Sequence, residues 1–400
     1  MRSANVSLHA EALARIAAVN PAAYARTRNR LDGAVSGLSP YITHGVITPA
    51  QVLAGVAARH RLAPTHKFVF ELGWRAYFHQ VWQQRGDGIF ESLHEGPLPD
   101  AAYAHEVPAD VREARCGLPV IDLAVQTLYR SGTLHNHARM WLASYLVHLR
   151  KVHWRAGADW LWPHLLDGDL ASNHLSWQWV AGTGSTKPYL FNAENVARHA
   201  PAAWHSNETV LDSSYEALER LARSPRAVPA VPPGTLAGLA EPPLLTAPTS
   251  PWRAADAAAL AGRAVWLVHP WALRAPPADL PADTAVLAWW PAAFHRRRPW
   301  SGARWAFVQR GLAAFTQEAV LDLAPLAAAA QVGTWADPHL DAELPAFVQR
   351  RASPPLFAPV DRPCTSFSQW WDRTLRGVTR LHELPGFAAL TPGPLFDAAD

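Results

Sequence analysis

The stretch Leu165-Leu-Asp-Gly-Asp-Leu-Ala-Ser-Asn-His-Leu-Ser-Trp-Gln-Trp-Val-Ala-Gly-Thr183 decides the reading of this chain. Asp167 and Asp169 flank Gly168, Asn173 follows four residues after the second carboxylate, and Trp177 and Trp179 stand two residues apart. Two carboxylates this close are buried cheaply only against donors or cations. Asn173 offers an amide that both donates and accepts, and the indoles offer flat, oxidisable faces. The grouping suits a planar heteroaromatic cofactor with polar edges. On these residues alone, a helix with an acidic cap and core tryptophans is the simpler alternative.

Working outward, Leu134–Trp154 reads as one long helix carrying Asn136, Arg139 and Met140. Lys67–Trp82 reads as another, with Glu71, Trp74, Arg75 and Phe78 at i, i+3, i+4 and i+7 and so on one face. Leu8, Leu13, Ile16 and Val19 mark an amphipathic helix, and Tyr24 to Asn29 reads as a polar turn. In Val35-Ser36-Gly37-Leu38-Ser39-Pro40, Ser39 before Pro40 signals a helix start whose free N–H groups suit a phosphate. Ser224–Pro251 is proline-rich and reads as a linker. Beyond it, Ala264–Val268 and Thr284–Trp290 read as short buried strands. Trp305–Phe315 and Ala319–Ala330 read as helices, which suggests a parallel α/β unit. His295-Arg296-Arg297-Arg298 reads as a solvated basic loop or a phosphate contact.

With 36 basic and 33 acidic residues the chain carries +3, which permits a polyanionic partner without demanding one. Two cysteines, Cys116 and Cys364, are too few for a disulfide framework or a four-cysteine iron–sulfur cluster, so no metal is expected. No run of 18 apolar residues and no signal-type start occur, so no membrane span and a cytoplasmic location are expected.

Asp-Gly-Asp-Leu-Ala-x-Asn-x-x-x-Trp-Gln-Trp, with Leu134-His135-Asn136-His137-Ala138-Arg139-Met140 ahead of it, resembles the flavin-binding helical domain of the DNA photolyase/cryptochrome family. The likeness runs from about Tyr24 to Phe191 and leaves residues 200–400 uncovered. It implies a mainly α fold, with a helical FAD-binding domain over 1–222; composition and patterning, not the resemblance, add a Pro-rich linker over 223–261. A smaller α/β domain over 262–345 and a C-terminal extension over 346–400 would follow. The family's antenna domain normally precedes Tyr24, where this chain has only 23 residues, so it is not expected in its usual place. Ala264–Arg274 is faintly similar to the first strand of such a domain. An antenna-like domain on the C-terminal side and an unrelated α/β module both fit.

The resemblance implies FAD, reduced for activity, as the cofactor. It would be held by Tyr24, Val35, Ser36, Gly37, Leu38, Ser39, Phe68, Arg75, Asn136, Arg139, Asp167, Gly168, Asp169 and Asn173. Asn173 would face the flavin N5 edge, and Arg139 and Asp167 would pair as a bidentate fork against the ring. The implied partner is DNA carrying UV lesions, contacted by Arg28, Glu71, Trp74, Arg75, Met140 and Trp179, with Trp74 and Trp179 clamping a flipped-out lesion. Catalytic roles are implied for Glu71, Asn136 and Met140. Trp177 and Trp154 match the proximal and middle members of the family's three-tryptophan electron chain. The distal tryptophan is absent from its expected place, and Tyr103, Trp160 and Trp162 are the candidates for terminal donor. Val35 and Gly37 replace the family's threonine and arginine, which weakens phosphate contacts. The (6-4) repair type has histidines where Asn136 and Met140 stand, and His135 and His137 point to other helix faces. The implied activity is therefore a blue-light-driven lyase acting on cyclobutane pyrimidine dimers. The alternative is a cryptochrome-like FAD photosensor without repair. A second chromophore and the strandedness of the DNA stay open.

Overall fold

Capping residues set most helix boundaries in the computed structural model, which describes residues 7–230, 238–248, 252–256 and 258–390. Ser7 accepts from Ala10 N at 3.2 Å and starts the helix Leu8–Ala18. Asn20 accepts from Ala23 N, and Pro21 with its fixed φ opens Pro21–Thr27. The expected polar turn at Tyr24–Asn29 is therefore helical as far as Thr27. Asp169 caps Leu170–Ala181 by accepting from Ser172 N at 2.8 Å.

The expected Leu134–Trp154 helix is interrupted. It runs as α-helix over Asn136–Ser144 and as one wider π turn over Tyr145–Leu149. It then breaks at Lys151, where φ is +53°. The Lys151 ammonium there donates to the carbonyls of His148, Leu221 and Ala222 at 2.6, 2.8 and 3.0 Å, satisfying the ends of two helices. Burial lowers its pKa to about 8. His153 then caps a fresh helix, Trp154–Leu161. Arg150 beside the break forms a buried fork with Asp110, at 2.7 and 3.1 Å.

Among the described residues eight strands follow: β1 Leu244–Leu245, β2 Arg253–Ala254, β3 Ala264–Val268, β4 Ala285–Trp289, β5 Trp300–Ser301, β6 Glu318–Val320, β7 Gln331–Trp335 and β8 Val348–Arg351. Six of them form one parallel sheet in the order β2-β6-β4-β3-β7-β8. It extends past the expected 262–345 on both sides. The expected helix Ala319–Ala330 is mostly strand and turn. Ala319 and Val320 pair with Ala288 and Trp289, and Pro325 restricts the rest to a 3-10 turn, Ala324–Ala328. Alanine's helix propensity is small beside what pairing with the buried β4 provides. Leaving aside the edge strand β2, the strand order reverses once, between β3 and β7, as in doubly wound sheets.

The described part of the proline-rich stretch lies strapped against the helices. Glu241 takes hydrogen bonds from Arg112 and the Trp160 indole and approaches His164 at 3.2 Å, while β1 pairs antiparallel with β5.

One apolar core joins the helices to the sheet. It contains Leu8, Ile16, Val52 and Phe68 together with Trp266, Trp271, Trp289 and Trp305. His44 bridges the two parts, with its ring nitrogens 2.5 Å from Pro270 O and 2.8 Å from Leu166 O. Trp271 follows β3 at the reversal, where doubly wound sheets open a crevice. Its indole lies between the rings of His295 (5.7 Å, 6°) and His339 (4.9 Å, 16°). Replacing Trp271 with alanine is expected to lower unfolding free energy in urea by about 3–5 kcal/mol; a change below about 1 kcal/mol would show that the crevice repacks around the gap.

Candidate cofactor site

A cavity of roughly 890 Å³ lies among the helices, inside the ~300–1,000 Å³ range of small-molecule and cofactor sites. Its walls include Tyr24, Arg28, residues 35–43, Phe68, Glu71, Arg75, Asn136, Arg139, Met140, Asp167, Asn173 and Trp177. Residues separated by more than a hundred positions thus meet around one space.

Asp167 forms its inner wall. Arg139 Nη2 lies 2.8 Å from both carboxylate oxygens, so one nitrogen bridges the pair instead of the expected fork. Burial would raise the Asp167 pKa, but the Arg139 charge outweighs it and holds the carboxyl below its usual range. Asp169 stands behind the wall, not in it. Besides capping its helix, it accepts from Arg75 Nη2 at 3.2 Å and lies 2.9 Å from His79 Nε2. His339 Nε2 is 3.9 Å away. Burial again acts to raise the pKa, and Arg75 and then His79 drive it well below the ordinary value. Gly168 between them offers its carbonyl to Arg304 Nη2 at 2.6 Å. Arg304 is fully buried, with its guanidinium 3.9 Å from the Trp300 ring centre and 4.7 Å from that of Trp162. Burial lowers its pKa to about 9, against the pull of Asp167 and Asp169.

Asn173 Nδ2 donates to Ala158 O at 3.0 Å, which leaves its carbonyl oxygen for a donor in the cavity. Trp177 is buried because residue 157 is glycine: a Cβ there would lie 2.3 Å from the indole. One turn away on that helix, the Trp154 indole donates to Ser92 Oγ at 2.9 Å. Rings continue from Trp154 to His153 (5.7 Å) and from His153 to Tyr103 (6.1 Å). Trp160 turns to Glu241 and Trp162 to Trp300 and Arg304.

In the 35–39 segment, Ser39 is the first helical residue and not the cap. Ser36 Oγ accepts from Leu38 N at 3.4 Å, and Val35 is 55% exposed. Elsewhere in the lining Asn136 Nδ2 touches Met140 Sδ at 3.5 Å, and Glu71 pairs with Arg28 at 3.1 Å and Lys67 at 3.0 Å.

The two expected clamp indoles lie outside the walls. Trp74 stacks on Phe367, with ring centres 3.9 Å apart and planes at 11°. Gly73 permits this by letting Trp371 approach, so the helix Phe367–Thr374 covers that face. Adjacent helical residues differ by about 100°, and here Arg75 points inward to Thr43 and Asp169 while Trp74 points out. Trp179 is 37% exposed and tilted against Tyr189. His135 and His137 both line the cavity, contrary to the expected divergence. His135 is the cap, outside the helical period, and burial lowers the pKa of His137 to about 4.

Arg15, Arg310, His79, Arg304 and His339 escaped the sequence reading. Each looks like a surface or core residue in its own helix or loop, and no spacing rule links positions hundreds of residues apart. Among the described residues, no cluster of three or more His, Cys, Asp or Glu side chains is placed to hold a metal ion, and no helix is long and apolar enough to cross a membrane.

Residues 68–203 match the model of the FAD-binding domain of DNA photolyase. The chain is 36% identical over 159 residues to a deoxyribodipyrimidine photo-lyase of Streptomyces griseus, a match covering 39% of this chain and 34% of that protein. It is 32% identical over 171 residues to a chloroplastic/mitochondrial cryptochrome DASH of Oryza sativa subsp. japonica, covering 40% and 29%. A cryptochrome structure from Synechocystis sp. aligns at 26% identity and TM-score 0.43, over 48% of this chain and 43% of that one. This helical segment is thus similar to the FAD-binding domain shared by photolyases and cryptochromes, and FAD is the cofactor of the matched domain. The chain spans about a third of the length of the curated relatives named here.

Because the folded Asp169 pKa lies below the unfolded value, its stabilisation is full above about pH 4 and is lost as pH falls through the lower folded value. Asp169→Asn should be less stable than wild type at pH 7 and lose less stability between roughly pH 5 and pH 2. Parallel stability curves from urea unfolding would remove Asp169 from the acid response.

Proposed function

We propose that the chain is a photolyase-type lyase that uses reduced FAD and blue light to split cyclobutane pyrimidine dimers in DNA. One observation carries this reading: Glu71, Asn136 and Met140 line the same cavity as Arg139, Asp167 and Asn173. Bound FAD would supply the light absorption and the transferred electron. The chain's own residues would hold and orient. The Arg139–Asp167 pair would lie against the flavin ring. The Asn173 carbonyl would accept from its N–H edge, and Glu71, fixed by Arg28 and Lys67, would accept from an extruded base. Met140 would offer an apolar surface and Asn136 an amide. Trp177 and Trp154 would carry electrons inward, and the ring contacts through His153 support Tyr103 as the terminal donor. Residues 262–345 would be an antenna-like unit, a reading supported by the parallel order with a single reversal.

A photosensor is favoured by a different observation, the stacking of Phe367 on Trp74, which occupies one face of an indole that repair would use. Illumination of the reduced protein with dimer-containing oligothymidylate separates the two. Recovery of thymine absorbance is the outcome expected for the lyase; flavin bands without recovery would establish the sensor instead. Tyr103→Phe should slow photoreduction of the oxidised protein about tenfold or more, a barrier change of ~1.4 kcal/mol, while leaving recovery by chemically reduced protein unchanged. An unaltered photoreduction rate would place the terminal donor elsewhere.

A further inference from the structure

The cavity beside residues 35–41 collects two guanidiniums from positions far apart in the chain. Arg15 comes from the helix Leu8–Ala18 and Arg310 from the helix Gly302–Leu312. Gly37 has φ +61°, and a Cβ on it would lie 2.6 Å from Arg15 Nη1. Arg15 therefore fills the space that a side chain at position 37 would take. Its Nε donates to Tyr41 Oη at 3.3 Å, and Tyr41 Oη donates to Glu11 Oε2 at 2.9 Å. Arg310 Nη2 donates to Glu11 Oε1 at 2.5 Å across 299 positions of sequence. One carboxylate thus faces two guanidiniums, and this end of the cavity carries net positive charge. The inner wall differs, because Asp167 and Arg139 sum to zero. One end suits an uncharged ring and the other an anion.

We propose that Arg15 and Arg310 bind the diphosphate of FAD, supplying from outside the 35–39 segment the guanidinium that the segment itself lacks. The inference rests on the FAD-binding reading of this cavity. Planar guanidiniums match phosphate oxygens with paired N–H donors, which a lysine in the same place does only as a point charge. Glu11 and Tyr41 keep both arginines beside the cavity, so little side-chain freedom is lost when the anion arrives. The arrangement ties the cofactor site to the helix that follows β5, so the sheet-bearing half contributes directly to flavin binding.

The test is equilibrium binding of FAD and of riboflavin, which lacks phosphate, to the full chain freed of flavin, followed by flavin fluorescence. R15A and R310A should each weaken FAD binding tenfold or more and leave riboflavin binding unchanged, and R15K should fall between wild type and R15A. Melting curves of the flavin-free variants should overlay wild type. FAD affinities within twofold of wild type in both variants, or equal losses for FAD and riboflavin, would overturn the proposal. Wild-type chain that takes up neither flavin would overturn the cofactor reading itself.

Discussion

Two carboxylates, Asp167 and Asp169, are taken out of water within three residues of each other, and the arrangement of the molecule depends on how they are neutralised. An unpaired buried charge costs several kcal/mol, so each recruits cations. Asp167 takes Arg139 from the helix Asn136–Ser144, and Asp169 takes Arg75 and faces His79 on a helix some ninety positions earlier. Arg304 and His339 arrive from the sheet-bearing half, one on the Gly168 carbonyl and one on Leu170 N. Several helices and the sheet-bearing half therefore meet at one short loop. The apolar core shared by helices and sheet reinforces this meeting point, but the polar contacts fix its register, because hydrogen bonds to named carbonyls tolerate less sliding than packed methyl groups.

The neutralisation divides the two acids by task. Asp167 with Arg139 faces the cavity and gives it a polar, uncharged inner wall. Asp169 works behind the wall, capping the helix that carries Asn173 and Trp177 and holding Arg75 inward. Asn173, restrained by the Ala158 carbonyl, presents one acceptor to the space. Elsewhere in the lining, Glu71 with its two cationic partners and the Asn136–Met140 contact make a surface suited to a heterocycle with N–H and carbonyl edges. The helix Phe367–Thr374 occupies one face of Trp74, outside the cavity walls. The same contact gives the C-terminal part of the chain a physical hold on the helix that bears Glu71.

Motifs that depend on near neighbours were legible in the sequence. The Lys67 helix, the strands read at Ala264–Val268 and Thr284–Trp290 and the helix near Trp305 all announce themselves by caps or periodicity. Misreadings occurred where a distant group altered local preference. Lys151 breaks a helix by reaching carbonyls seventy positions away. Alanine-rich residues 319–320 became strand because β4 needed a neighbour. The described part of the proline-rich stretch lies against the helices because Glu241 found Arg112, Trp160 and His164.

The sequence by itself determined the chemistry offered to a ligand: the carboxylates, the amide and the indoles suit a planar heteroaromatic group with polar edges, and the resemblance of their motifs to the photolyase/cryptochrome family made that group a flavin. Only the tertiary structure decided which of those residues face the cavity and which stand behind it. It turned Arg75 in and Trp74 out, although both lie on one helix, and it brought Arg15 and Arg310 to the same cavity. The reason is physical. Helical periodicity orders residues around a single axis, whereas charge neutralisation and aromatic stacking choose partners by proximity in space, which a repeat of 3.6 residues does not encode.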